Sequence, residues 1–245
     1  MFTLLRKEIN SFFSSLTGYV VIIVFLVTNS LFMWVFKGDL NVLDSGHANL
    51  DTLFLLAPWI FLFLVPAVTM RVFSEEKRNG TLELLLTQPL TEIQIVLSKY
   101  FAAVGLILFS LLPTLVYFFS VSALGSPPGN LDVGGISGSY AGLFFLAAVY
   151  ASVGVFTSAI TDNQIVSFLL AVLISFFLYS GFDLITAAEL LGNLDTFLVR
   201  FGINEHYQSI SRGVIDTRDL IYFLSVISIF LLGTKLVLQS RKWQA

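Results

Sequence analysis

Long uninterrupted apolar runs dominate the chain and alternate with short polar segments. Six runs reach about 20 residues, the length that an α-helix needs to cross the hydrocarbon core of a bilayer. They are predicted at 18–36, 53–72, 100–123, 140–160, 165–184 and 220–238. The runs are continuously apolar and do not alternate with period two, which disfavours a transmembrane barrel. The pattern therefore predicts an all-α, polytopic membrane protein with six transmembrane helices in a single domain, 1–245.

The residues before the first run predict a separate amphipathic helix. Apolar side chains recur there at helical spacing, and Arg6, Lys7 and Asn10 lie off the resulting stripe. The stripe consists of Phe2, Leu5, Ile9, Phe12, Phe13 and Leu16. Such a helix typically lies in the membrane surface, and the alternative is a downward extension of the first span. The apolar run is longer than the hydrophobic region of a signal peptide, so we expect the first span to be retained.

Composition supports a membrane location and excludes several chemistries. Only 12% of the residues are charged and 56% are hydrophobic, whereas soluble domains carry about 25% charged residues. The net charge of −3 gives no indication of nucleic-acid binding. The chain has no cysteine, which excludes disulfides, thiolate catalysis and cysteine-ligated metals. His47 and His206 are not spaced with carboxylates as metal ligands are, so we expect no metal site.

The placement of lysine and arginine predicts that both termini are cytoplasmic. With the N-terminus inside, nine basic residues fall on the cytoplasmic side and four on the outside, as the positive-inside rule requires. The inside set is Arg6, Lys7, Arg71, Lys77, Arg78, Lys99, Lys235, Arg241 and Lys242, and the outside set is Lys37, Arg200, Arg212 and Arg218. The extracytoplasmic segment 183–219 holds three of those four, which counts against the assignment. We expect this segment to form a short helical hairpin at the outer interface.

The interiors of the predicted spans carry little chemistry. None of the first five spans has a charged side chain in its interior, since Arg71 and Asp183 lie at span ends. This disfavours an ion-coupled carrier and equally an intramembrane protease. Asn29 in the first span has two interpretations, helix packing or a position on a translocation path. Gly142, Ala148 and Gly154 are small residues in the fourth span and predict a close helix contact.

The loop 73–99 between the second and third spans contains a short apolar helix. A charged cluster at 75–78 precedes Asn79-Gly80, a turn signal. Thr81 is the expected N-cap of the helix that follows, and Glu83 in its first turn suits the helix dipole. Such a helix fits either the groove of a partner protein or the membrane surface.

A second helix in this loop has a complete set of start signals. Pro89 ends the short helix. Thr91 and Gln94 then fit a capping box, and Leu90 and Ile95 fit a hydrophobic staple. The loop is therefore predicted to hold a short apolar helix between two rigid flanks, the second of which runs into the third span.

These residues resemble a known family. Residues 75–89, EEKRNGTLELLLTQP, resemble the cytoplasmic loop of ABC-2 type transporter permeases, and residues 5–9 and 14–19 resemble the opening of the same family. Leu16 stands where many relatives have proline. Residues 213–219, GVIDTRD, with the apolar span that follows, resemble one subgroup, the gliding-motility-associated ABC permeases of Bacteroidetes.

The resemblance implies a coupling site and a set of partners. In this family the loop docks on a separate cytoplasmic ABC ATPase, which implies coupling roles for Glu75, Glu76, Gly80, Thr81, Glu83, Leu84, Leu85 and Pro89. The leucines are expected to enter a groove of the ATPase and the glutamates to lie near basic residues at its rim. The chain has no phosphate-binding loop motif, so ATP and Mg²⁺ belong to the partner and no cofactor is expected here.

Two functions remain open, both non-catalytic for this chain. The first is the permease subunit of an ABC transporter in the bacterial inner membrane, paired with a second permease subunit, identical or different, and surrounded by lipid. The second is a permease-like scaffold whose ATPase drives envelope assembly without moving a solute. An intramembrane enzyme acting on lipid is a third class, which the lack of a nucleophile–base pair disfavours.

Overall fold

The structure is a computed structural model that describes residues 1–187, 199–214 and 216–241. Within these ranges the chain forms helices and no strand. The helices are α1 (Phe2–Ser14), α2 (Leu16–Ser30), α3 (Asp51–Thr69), α4 (Ser74–Arg78), α5 (Leu82–Leu86), α6 (Glu92–Leu111), α7 (Leu115–Leu124), α8 (Val133–Ile160), α9 (Gln164–Phe176), α10 (Phe182–Ala187), α11 (Ile203–Ser211) and α12 (Thr217–Arg241). The predicted all-α fold is confirmed.

Among the described residues, six helical segments are long and apolar enough to cross a membrane. They are Leu16–Val35, Asp51–Arg78, Glu92–Leu124, Val133–Ile160, Gln164–Ala187 and Thr217–Ser240. A π-helical turn over Leu31–Val35 extends α2, and a second π-helical turn over Phe177–Gly181 joins α9 to α10. A 3₁₀-helical turn over Leu112–Thr114 joins α6 to α7, and Pro113 within it has no backbone N–H to donate. Each segment contains one predicted span, or almost all of it, and most extend beyond its limits.

Helix α8 forms the centre of the bundle. It packs against α3, α6, α9, α11 and α12. Its most apolar stretch is 78% buried within the chain, compared with 22% for the first and the sixth span. At Gly154 an added Cβ would lie 1.9 Å from Thr69 Oγ1, and at Gly142 it would lie 3.1 Å from the Tyr207 ring. The close contact predicted from these small residues is confirmed.

The N-terminal helix α1 is separate from the first span. Ser15 has an extended backbone, with φ −94° and ψ 144°, and ends the helix there. The alternative of one continuous helix is therefore wrong. Phe12 is buried as the predicted stripe requires, whereas Phe2 and Leu16 are exposed and Leu4, off the stripe, is buried. Phe2 and Leu16 remain available to a membrane surface, which is the predicted location of α1.

The bundle has two ends, which we name by what they carry. The loop end carries residues 70–91 and the turn 161–163 between α8 and α9. That turn is short and polar, and Asn163 Oδ1 accepts from the amide of Ile165 at 2.9 Å. The far end carries residues 37–50, 125–132 and α11.

Part of the helical hairpin predicted within 183–219 is described and part is not. Residues 188–198 and 215 lie outside the described ranges. In the described part, α11 packs on α8 with Ile203, Tyr207 and Ile210 buried. The Tyr207 hydroxyl donates to the Phe54 carbonyl at 2.8 Å. Burial raises the pKa of the Tyr207 phenol, so it stays protonated and keeps this donor.

Candidate functional site

The loop end places the predicted coupling residues on two short helices held against the bundle. Helix α4 lies beside the end of α8, where Ser158 Oγ accepts from the amides of Phe73 at 2.8 Å and Ser74 at 3.0 Å. The same hydroxyl donates to the Met70 carbonyl at 3.0 Å. The Lys77 ammonium donates to the Ala159 carbonyl. Helix α4 is thus fixed at its first turn and at its last.

The turn after α4 requires glycine. Gly80 has φ +68°, a left-handed conformation that residues with a Cβ adopt only at a cost. The Thr81 amide donates to the Glu76 carbonyl at 2.9 Å and the Gly80 amide to the Lys77 carbonyl at 3.1 Å. These bonds close α4 and reverse the chain into α5. The turn predicted at Asn79-Gly80 is therefore confirmed.

Thr81 occupies the N-cap position of α5 but does not cap it with its side chain. Its backbone is helical, with φ −88° and ψ −10°, whereas a capping side chain needs an extended N-cap residue. The hydroxyl turns back and donates to the Glu76 carbonyl at 3.3 Å. The predicted side-chain cap is wrong, because the glycine turn already directs the threonine toward α4.

Helix α5 exposes only part of its apolar surface. Leu82 is 3% exposed and belongs to the core of the bundle, whereas Leu84 is 66% exposed. Leu85 and Leu86 are half-buried and pack against the core. Leu84 is therefore the side chain of this helix that a partner can bury most completely, and Leu82 serves as the anchor.

The capping box predicted for α6 is present. Thr91 Oγ1 accepts from the Gln94 amide at 3.4 Å, and Gln94 Oε1 accepts from the Thr91 amide at 3.1 Å. Ile95 is fully buried, and Leu90 packs against the core. Pro89 is exposed in the linker that follows α5. The short helix α5 therefore lies between two flanks of defined geometry, as predicted.

The three predicted rim glutamates do not share one environment. Glu75 and Glu83 are exposed. Glu76 instead points inward, and its Oε1 lies 2.7 Å from Lys99 Nζ. Lys99 also contacts Glu8 Oε1 of α1 at 3.1 Å. Sequence reasoning missed this cluster, although a lone lysine between apolar residues of a helix is a signal for it.

A cleft beside α5 completes the site. It has a volume of about 410 Å³ and runs between α1 and α5. It is lined by Thr3, Leu4, Lys7, Glu76, Thr81, Leu84, Leu85, Gln88 and Leu90. The cleft combines apolar and charged side chains and contains four of the eight predicted coupling residues. Helix α1, which sequence reasoning assigned to the membrane surface, supplies its second wall.

Neither histidine contributes to this site. The ring of His47 contacts the Ser45 carbonyl at 2.9 Å, and the ring of His206 contacts Asp219 Oδ1 at 2.7 Å, both at the far end. Among the described residues, no group of three or more histidine and carboxylate side chains is arranged to hold a metal ion. The described part of the loop end thus carries an exposed leucine, a mixed apolar and charged cleft, and one internal ion-pair cluster.

The comparisons with known proteins agree with this architecture. A family model described as ABC-2 family transporter protein matches residues 4–241, nearly the whole chain. Among curated proteins, none matches the sequence significantly. The matched family consists of membrane transport subunits, consistent with six segments able to cross a bilayer. The chain therefore belongs to the ABC-2 transporter family and is a multi-pass membrane permease subunit of an ABC transporter.

Proposed function

We propose that this permease docks on a separate cytoplasmic ABC ATPase through its loop end and converts ATP hydrolysis into export or envelope work. The observation that carries the proposal is Leu84, a large apolar side chain that is 66% exposed on a helix otherwise anchored in the bundle. An exposed leucine beside a mixed cleft matches the apolar centre and polar rim of protein interfaces. Glu75 and Glu83, both exposed, supply the rim.

The supports of α5 suit a helix that transmits movement. Ser158 and Lys77 tie α4 to α8, and the capping box starts α6 next to the linker. A displacement of α5 would therefore be transmitted to α6 and α8 through these fixed contacts. ATP and Mg²⁺ would bind in the partner, and the isolated permease is expected to hydrolyse no ATP.

Further parts of the proposal concern the membrane location, the orientation and the partners of the permease. We propose a location in the bacterial inner membrane with the loop end and both termini cytoplasmic, in line with the distribution of lysine and arginine. Helix α9 exposes Ile165, Leu169 and Leu173 along one face, which is apolar surface for lipid and for a second permease subunit. A link to gliding motility is proposed from the resemblance of 213–219 and the span that follows.

Leucine truncation tests the docking surface. Burying one leucine stabilises a complex by about 1.5–3 kcal/mol, so Leu84→Ala is expected to weaken ATPase binding by about one to two powers of ten. The permease in detergent micelles would be titrated against the candidate ATPase. Leu43→Ala is the matched control, because Leu43 is 61% exposed at the far end.

The ATPase affinities of the two variants show which end of the bundle binds the ATPase. Unchanged affinity for Leu84→Ala would remove α5 from the interface. Loss of affinity for Leu43→Ala alone would place the ATPase at the far end and reverse the orientation. Both variants should insert in the membrane at wild-type levels, since neither side chain is buried. Transport into reconstituted vesicles then separates a permease that moves a solute from a scaffold that does not.

A further inference from the structure

Lys99 is a buried lysine at the point where four segments of the loop end meet. It lies two turns into α6 and is 1% exposed. Its ammonium contacts Glu8 Oε1 of α1 at 3.1 Å and Glu76 Oε1 of α4 at 2.7 Å. It also donates to the Val72 carbonyl, just beyond α3, at 2.9 Å. One nitrogen atom therefore connects α1, the segment that follows α3, α4 and α6.

The donor set of Lys99 is fully used. An ammonium group has three N–H donors and no acceptor, and this one faces three oxygen atoms from three different segments. The ring of Phe73 lies 5.2 Å from the same nitrogen and covers another side. A neutral side chain of similar length could fill the space, but it could not bind two carboxylates and a carbonyl together.

The cluster joins both walls of the cleft beside α5 to the third span. We call the cleft between α1 and α5 the docking cleft. Glu8 lies on α1, which forms one wall, and Glu76 lies on α4, which leads into α5 on the other wall. Lys99 itself is on the helix that continues into the third membrane span. A movement of either wall must therefore move α6, as long as the ammonium holds both carboxylates.

We propose that Lys99 is a positioning residue that makes the two walls of the docking cleft move as one unit with the third span. The proposal rests on the proposed function, since it concerns how ATPase docking is transmitted. Lys99 contacts no nucleotide and would take no part in hydrolysis. It acts by holding Glu8 and Glu76 at a fixed separation while the ATPase changes shape.

The variants must separate positioning from simple stability. Lys99→Met alone leaves two carboxylates buried without a counter-charge and is expected to lower the yield of folded protein. The triple variant Lys99→Met, Glu8→Gln and Glu76→Gln removes all three charges. It therefore also removes the repulsion between the two carboxylates, so it should fold. Lys235→Met on α12 is the matched control, a half-buried lysine on a helix outside the cluster.

Two measurements are then made on the triple variant. The first needs no ATPase: Ser11→Cys and Asn79→Cys place spin labels on both sides of a second cleft that Lys99 also lines, and the chain has no other cysteine. The wild-type background should give one narrow distance distribution and the triple variant a broad one. The second is permease-stimulated ATP hydrolysis at saturating ATPase, in which the stimulated kcat should fall about tenfold, within the usual range of coupling between two sites.

The outcomes separate this inference from the docking proposal. A narrow distance distribution in the triple variant would overturn it, whether or not an ATPase binds. Wild-type kcat in the triple variant would also overturn it, because the cluster would then serve folding alone. A wild-type kcat at saturation combined with a higher ATPase concentration for half-saturation would assign the cluster to docking and not to transmission. If no ATPase binds the wild-type permease, docking fails, and a broad distribution in the triple variant would still show that Lys99 fixes the walls.

Discussion

The two ends of the bundle are held together by different physical means. At the loop end, segments distant in sequence meet through charge: Lys99 binds Glu8 and Glu76, which lie on separate helices. At the far end they meet through shape. An added Cβ at Gly138 of α8 would lie 2.3 Å from the Ile210 carbonyl oxygen of α11, so these two backbones are in direct contact.

The polar contacts of the far end are made mainly by aromatic side chains and backbone groups. The hydroxyl of Tyr207 reaches a backbone carbonyl, and so does that of Tyr222. His206 stacks on Tyr222 with the ring centres 3.9 Å apart and contacts Asp219. Aromatic rings and backbone groups thus fix α11 against α8 and α12. Neutralising a charge should therefore damage the loop end most, and adding volume should damage the far end most.

The largest expected effect is the loss of the ammonium in Lys99→Met. Lys99 is 1% exposed, and its partners Glu8 and Glu76 are 13% and 18% exposed. Breaking a buried ion pair costs about 3–5 kcal/mol, because the remaining charge stays buried without compensation. The free energy of unfolding of the detergent-solubilised protein, from denaturant titration, should fall by that amount. A loss below about 1 kcal/mol, typical of exposed pairs, would break the comparison.

A smaller loss is expected from Gly138→Ala at the far end. The added methyl group would meet the Ile210 carbonyl at 2.3 Å and the Gly213 Cα at 2.9 Å, both backbone atoms that cannot rotate away. Overpacking of this kind costs about 1–3 kcal/mol in free energy of unfolding. The same denaturant titration would measure it.

The control for Gly138 is another helical glycine. Gly105 on α6 has open space where its Cβ would be. Gly105→Ala should therefore be neutral or should stabilise the helix by up to about 1 kcal/mol. Equal losses at the two glycines would mean that helix entropy, and not backbone contact, decides the effect.

The features that sequence reasoning predicted are those encoded locally. The capping box at Thr91 depends on residues three positions apart, and the six apolar runs depend on composition within about 20 residues. The Gly80 turn likewise needs only its neighbours and a positive φ. In each case the residues that decide the structure lie within one window of sequence.

The features that sequence reasoning missed depend on distant residues. Glu8 and Lys99 are 91 positions apart, so no local pattern shows that Glu76 points inward to join them. Helix α5 has five residues, fewer than two turns, and periodicity over so short a length could not separate the buried Leu82 from the exposed Leu84. Both outcomes follow from where α4 and α5 lie on the bundle.

The smallest expected effect compares two threonines at helix N-caps of the loop end. Thr91 accepts the Gln94 amide in a capping box, whereas Thr81 leaves α5 without a side-chain cap. Thr91→Ala should lower the free energy of unfolding by about 1 kcal/mol, because an amide in the first turn of α6 loses its acceptor. Thr81→Ala removes only an exposed hydroxyl bonded to the Glu76 carbonyl and should stay within about 0.5 kcal/mol of wild type. Hydrogen exchange at the first amides of α6 would report the local change and should accelerate only in Thr91→Ala. Equal exchange in both variants would show that the charge cluster at Lys99, and not the cap, fixes the start of α6.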